Sequence, residues 1–196
     1  MDRTVESPYR VVVYCASADG TDPAYLAEAS ALGRALAEAG MGLIYGGAAI
    51  GAMGAVADGA LGAKGEVIGV IPSFMVTREI AHTRLTQLVH TENMHERKAK
   101  MLELADAVIA LPGGYGTLDE LMEALTWANL GIHTKPCVVV NTLGYYDGLL
   151  TFLDTAVEAG FLKPDKRKNL QVAANAAAAI QLLQKHSPAL LDAAQH

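Results

Sequence analysis

Cysteine is scarce in this chain of 196 residues: only Cys15 and Cys137 occur, each inside an apolar run and without the paired spacing of a zinc or redox site. Disulfides are therefore not expected, and both thiols are read as small buried groups. Basic runs are lacking too. Fifteen Lys plus Arg against 21 Asp plus Glu leave a net charge of -6, and no stretch is basic enough to track a nucleic-acid backbone, so no polynucleotide partner is expected. No uninterrupted apolar stretch reaches the ~18 residues of a membrane helix. Met1 to Tyr9 carries Asp2 and Glu6 where a signal peptide would have its apolar core. Together these point to a cytoplasmic chain without a membrane partner.

Two familiar phosphate motifs are missing. There is no GxxxxGK[ST] loop, and no GxGxxG followed by a well-placed ribose acid, which removes the main supports for an ATPase or a dehydrogenase. His95-Glu96 lacks the second histidine of HExxH. His82, His90, His133, His186 and His196 are scattered, so no metal is expected.

What is present is a hydrophobic content of 52% with 18% charged residues, suited to a globular chain with elements buried on both sides. Its length fits one domain spanning residues 1–196, with a core over about 10–185 and ends that fray. Short β-branched runs alternate with helix-period segments, the pattern of βαβ units and a parallel sheet. Strands are expected at Arg10 to Cys15, Gly42 to Tyr45, Glu66 to Ile71, Leu88 to Thr91, Ala107 to Leu111 and Pro136 to Val140. Their near-continuous apolar character calls for helices on both faces. Those helices are expected at Pro23 to Ala39, Ile50 to Leu61, Asn93 to Leu104, Leu118 to Leu130, Tyr146 to Ala159 and Ala176 to Lys185, and the alanine-rich Ala173 to Ala179 also reads as helix. Pro23 suits a first turn and Gly40 a stop. The fold class is thus α/β, an open parallel sheet of Rossmann-like form.

In such a sheet ligands bind beyond the carboxyl ends of the strands. Three loops there carry chemistry. Ala16 to Gly20 offers small residues and the hydroxyl of Ser17. Gly46-Gly47-Ala48-Ala49-Ile50-Gly51-Ala52-Met53-Gly54 lets backbone approach closely, equally well a ligand or a neighbouring element. The strongest is Leu111-Pro112-Gly113-Gly114-Tyr115-Gly116-Thr117, which ends a buried strand and opens a helix. Its N–H groups can converge on an anion that the helix dipole also favours, and a phosphate monoester fits.

Two charged residues near these loops have two readings each. Thr117 and Glu120 have the spacing of a capping box, yet a carboxylate beside the cradle could also face the sugar of a bound nucleotide. Arg97 edges an apolar stripe made by Met94, Lys98, Met101 and Ala105, where a basic side chain commonly snorkels to solvent. Beyond a strand end it could instead grip a phosphate in a bidentate contact or stabilise a departing group. Glu79, in the loop after Pro72, reads as an ordinary loop acid.

Tyr45-Gly46-Gly47 with Gly51 and Met53-Gly54, Met94 to Lys98 with Met101, and Leu111 to Thr117 with Glu120 resemble the Lonely Guy family, over about Arg10 to Leu162 including Thr126-Trp127 and Gly144-Tyr145-Tyr146. The resemblance implies a Rossmann-like dimer that cleaves the N-glycosidic bond of cytokinin riboside 5′-monophosphates to free base and ribose 5-phosphate, with AMP as a further substrate and no cofactor. By that resemblance Arg97 and Glu120 are the catalytic pair. Lys98, Gly113, Gly114, Tyr115, Gly116, Thr117, Leu118 and Asp119 contact the nucleotide, and Glu79 and Thr126 complete the pocket. Members have often been labelled lysine decarboxylases, a label this chain does not support, since nothing in it identifies a pyridoxal phosphate site. Many relatives carry a third glycine where this chain has Ala48, whose methyl is expected to narrow the pocket. A nucleotide-binding sensor or carrier of the same fold, which would need the cradle but not Glu120, is the competing reading.

Overall fold

The computed structural model describes residues 8–76 and 81–186. Glu79 and the two chain ends expected to fray lie outside the described residues. Seven strands form one sheet: β1 (Arg10–Tyr14), β2 (Gly42–Tyr45), β3 (Val67–Pro72), β4 (Gln87–Thr91), β5 (Ala107–Ala110), β6 (Cys137–Val140) and β7 (Leu170–Ala173). Their order is β4-β3-β2-β1-β5-β6-β7, and every pairing is parallel.

Because side chains alternate across a strand, each apolar run feeds two cores. Val11 and Val13 of β1 face the layer of α1 (Pro23–Glu38), α2 (Gly51–Gly62) and α7 (Ala176–His186), while Val12 and Tyr14 face that of α3 (Met94–Leu104), α4 (Tyr115–Asn129) and α5 (Asp147–Glu158). Each fully buried aliphatic side chain contributes ~1.5–3 kcal/mol. The expected doubly covered parallel sheet is therefore what forms. Cys15 and Cys137 are buried free thiols, as expected. No helix of the described residues is long and apolar enough to cross a membrane.

Helix ends follow side-chain chemistry. Asp22 caps α1 by accepting from the Ala24 N–H at 2.9 Å, Pro23 occupies its first turn, and Gly40 follows it at φ +70°. Three sequence expectations need correction. A seventh strand, β7, lies at the sheet edge beside β6; only its two end residues are buried and it includes the polar Gln171, so it lacks the solid apolar signal of the inner strands. Ala173 ends that strand, and the helix begins only at Ala176; the short α6 (Pro164–Arg167), which precedes β7, is also unexpected.

The third correction concerns α4, which begins at Tyr115 with Gly114 as its N-cap and no side-chain cap. Thr117 is thus already inside the first turn and the capping box with Glu120 does not form. That type of cap occurs instead at α3, where Asn93 Oδ1 accepts from the Glu96 N–H at 2.9 Å and Glu96 accepts from the Glu92 N–H at 2.7 Å. Strand order reverses about β1: chain progression runs one way through β2, β3 and β4 and the other way through β5. The loops after β1 and β5 consequently diverge and leave a crevice.

Candidate functional site

A cavity of about 400 Å³ fills that crevice, bounded by the loop after β1, the glycine loop after β2, α3 and the start of α4. Among the sequence-nominated residues, Ser17, Gly46, Arg97, Gly114, Tyr115, Gly116, Thr117, Asp119 and Glu120 line it.

The α4 terminus is built as an anion cradle. Its first internal hydrogen bond runs from the Leu118 N–H to Gly114 O at 3.1 Å, so the preceding amides are the donors a helix N-terminus leaves over. A Cβ added at Gly114 or Gly116 would meet nothing within 4 Å, so the approach to them is open. The loop leading in is braced from below by two phenols. Tyr146 donates to Leu111 O and Tyr145 to Gly113 O, both at 2.6 Å; the two rings pack edge to face with centroids 5.2 Å apart.

The start of α2 is different. Its Ala52 and Met53 amides donate to Ala18 O at 3.3 Å and Ala16 O at 3.1 Å, and a Cβ at Gly51 would lie 2.3 Å from the Ser17 carbonyl carbon. Here the glycines serve close packing of one loop on another, and the helix dipole is spent on protein carbonyls.

Arg97 is not a snorkelling surface residue. It is 5% exposed, with Nε donating to Val70 O and Nη2 to Gly46 O, both at 3.0 Å, and Nη1 lying 3.9 Å from Met94 Sδ. A guanidinium has five N–H donors, so two backbone acceptors fix its plane and leave donors for the cavity it lines. Glu120, one turn further along α4 than the cradle, is half-buried and lines the same cavity. Both charges act on the end of β1. Burial first, and then Glu120, raises the Cys15 thiol while Arg97 opposes the shift; burial and then Glu120 raise the Tyr14 phenol.

The other nominated residues lie elsewhere. Lys98 Nζ bridges Asp119 at 3.0 Å and Glu123 at 2.9 Å, tying α3 to α4. Burial alone would lower its pKa, but the hydrogen bonds and charges of Glu123 and Asp119 raise it. Gly113 belongs to an adjoining cavity of about 200 Å³, Leu118 packs on the core, and Gly47 O accepts from the His82 N–H at 3.0 Å. Thr126 donates to Met122 O at 2.7 Å and faces a separate groove with Leu153 and Leu170. Ala48 is fully buried and pairs with Ala81, so its methyl belongs to the core and does not narrow the cavity.

Sequence reasoning missed much of the apolar wall, formed by Val13, Met53, Met75, Met94 and Met101. Only Met94 and Met101 had a signal, their shared helical stripe. No group of three or more potential metal ligands occurs among the described residues.

Sheet, switch-point crevice and uncapped helix terminus together define a Rossmann-like α/β protein with a cavity at the point of strand-order reversal. The chain belongs to the Lonely Guy family. A family model described as "Possible lysine decarboxylase" matches residues 53–183. A cytokinin riboside 5′-monophosphate phosphoribohydrolase of Arabidopsis thaliana is 43% identical over 188 residues, 96% of this chain and 87% of the relative. One from Oryza sativa is 45% identical over 179 residues, 91% and 74% respectively. Among solved structures, the molybdenum cofactor binding protein of Rippkaea orientalis superposes with a TM-score of 0.70 at 26% identity, covering 92% of this chain and 98% of that one. The DNA processing protein A of Helicobacter pylori, at 19% identity and a TM-score of 0.58 over 92% and 82%, shares the fold.

Proposed function

We propose that this protein hydrolyses the N-glycosidic bond of cytokinin riboside 5′-monophosphates, and of AMP, releasing the free base and ribose 5-phosphate. The observation that carries this reading is the buried Arg97, held in one orientation by Val70 O and Gly46 O, lining the same cavity as Glu120 and the α4 cradle. A carrier needs the cradle; a preoriented cation facing a carboxylate is what bond cleavage needs.

The proposed chemistry follows from placement. The phosphate occupies the α4 terminus, where Gly114, Tyr115, Gly116 and Thr117 present amides, with Ser17 and Asp119 on the rim. The ribose then lies beside Glu120. As the bond from the anomeric carbon to the purine nitrogen breaks, its electron pair leaves with the base and positive charge builds on the sugar. Glu120 stabilises that charge and takes a proton from the attacking water. Arg97, anchored on Val70 O and Gly46 O, offsets the negative charge on the departing purine, which regains a proton from solvent. Gly46 and Gly47 act through the backbone, while Gly113 and Leu118 support the cradle. Glu79, Lys98 and Thr126 enter the proposed substrate set by the family resemblance alone.

The decarboxylase description implies pyridoxal phosphate, which needs a lysine facing the cofactor as a free amine. No lysine lines this cavity, and Lys98 is committed as an ammonium to two carboxylates. The residues do not fit that group. The carrier reading has a specific observation in its favour, the likeness to the molybdenum cofactor binding protein, and stands as the alternative.

The proposal extends to a cytoplasmic homodimer. Met122, Leu125 and Trp127 pack partly buried on the core, but Leu130, Ile132, Phe152 and Phe161 are 63–91% exposed and would be covered by a second copy. Light scattering that gave only monomer would remove the dimer.

Incubation with N6-isopentenyl-AMP, with AMP in parallel, tests the activity by chromatography of free base and ribose 5-phosphate. Product from wild type but not from Glu120→Gln is expected. Intact substrate in every tube, despite measurable binding, would establish the carrier reading.

A further inference from the structure

His82 is a polar side chain only 6% exposed, outside the cavity, and both of its ring nitrogens are engaged. Nδ1 lies 3.2 Å from the Arg84 backbone N–H and Nε2 3.1 Å from Asp58 Oδ1 on α2. A backbone amide can only donate, so Nδ1 carries the lone pair and the ring hydrogen sits on Nε2, donated to Asp58. The hydrogen-bond partners thus select a neutral ring in one tautomer.

The backbone of the same segment straps the glycine loop. The His82 N–H donates to Gly47 O at 3.0 Å, and Ala81 pairs antiparallel with Ala48. Gly47 adopts φ +83°, which only glycine tolerates readily, and here successive carbonyls serve different partners: Gly46 O receives Arg97 Nη2 and Gly47 O receives His82. A continuous line of contacts therefore runs from Asp58 through His82, Gly47 and Gly46 to Arg97.

We propose that neutral His82 is a positioning residue, holding the Gly46 carbonyl that orients the Arg97 guanidinium. Among the described residues the charged groups facing the ring are Asp58, from α2, and Arg84, whose guanidinium shares the same Asp58 oxygen. The Tyr45 phenol, at the end of β2, is the titratable group that feels Asp58; burial chiefly, with Cys15 and Asp58, keeps it protonated. Loss of the imidazole removes the link to Asp58, opens the strap and frees Arg97 from its fixed plane.

The readout by turnover rests on the hydrolase reading; a second readout does not. Full-length wild type, His82→Gln and His82→Ala are compared at neutral pH. Gln keeps an N–H for Asp58. His82→Ala is expected to lower kcat about tenfold with little change in KM, because a displaced catalytic group costs turnover more than binding. His82→Gln should retain most of the wild-type kcat. In parallel, the Arg97 Nε–H signal in a nitrogen-15 spectrum, assigned by its disappearance in Arg97→Lys, should exchange slowly in wild type and His82→Gln and fast in His82→Ala. Unchanged exchange in His82→Ala, or a kcat in His82→Gln as low as in His82→Ala, overturns the proposal. If wild type cleaves no nucleotide, the hydrolase reading fails and the exchange measurement alone decides the strap. If His82→Ala does not fold, Asp58→Ala, which releases the other end of the strap, supplies the same comparison.

Discussion

Arg97 Nη2 lies 3.0 Å from Gly46 O, and a Cβ placed on residue 46 would lie 2.3 Å from that same nitrogen. The glycine is therefore the seat of the guanidinium. A methyl there cannot coexist with the observed Arg97 position. Gly46→Ala is expected to keep the fold, since only the side-chain ends of Arg97 and Met53 are displaced, and to reduce kcat/KM on the order of 100-fold. Circular dichroism with steady-state kinetics checks this, and wild-type turnover would count against Arg97 as a catalytic group.

Tyr146 Oη, buried at 1% exposure, donates to Leu111 O at 2.6 Å, directly beneath the cradle. Removing the hydroxyl leaves a buried carbonyl without that donor. Tyr146→Phe should cost ~1–3 kcal/mol of stability, read as a lower denaturant midpoint. It should also weaken binding of inorganic phosphate by calorimetry, because the loop it braces carries the amides.

Lys98 holds Asp119 and Glu123 from a nearly buried position, but Asp119 is 60% exposed, which screens the pair. Lys98→Met should thus cost only ~1 kcal/mol, seen as a small fall in melting temperature. The folded-state pKa of Lys98 is raised, so its contribution is complete below the unfolded pKa and is lost as pH rises through the folded value. The stability difference between wild type and Lys98→Met should accordingly shrink at strongly alkaline pH.

His133 supplies the opposite sign. Its Nδ1 accepts from the Lys135 N–H at 3.1 Å and its Nε2 lies 2.9 Å from Ala124 O, an arrangement of the neutral ring. Burial lowers its pKa, the Ala124 contact opposes that, and Lys135 adds to it. Its contribution is present above the unfolded value, near 6.5, and is lost as pH falls through the depressed folded value. Melting temperature should decline on acidification, less steeply in His133→Asn; parallel curves would refute the assignment.

Much of this was legible in order along the chain. Five inner strands announced themselves through apolar runs because they are buried on both faces, β4 through a shorter run at the other sheet edge, and the cradle through glycines at a strand-to-helix junction. The edge strand Leu170–Ala173 was not, because exposure on one side dilutes its pattern. Glu120 was legible as a carboxylate beside a phosphate loop, but the capping alternative fell only once α4 was seen to start at Tyr115.

The sequence by itself determined the fold class, the absence of a nucleic-acid-binding charge pattern and the glycine-rich strand-to-helix junction, because these depend on local periodicity, composition and the backbone freedom of neighbouring residues. The tertiary structure alone decided that Arg97 points inward, that Ala48 lies in the core, that four methionines share one cavity wall and that His82 is tied to the glycine loop. Each of these is a contact between residues distant in the chain, as Arg97 is from Gly46, and packing of the sheet against its helices, rather than any local pattern, selects them.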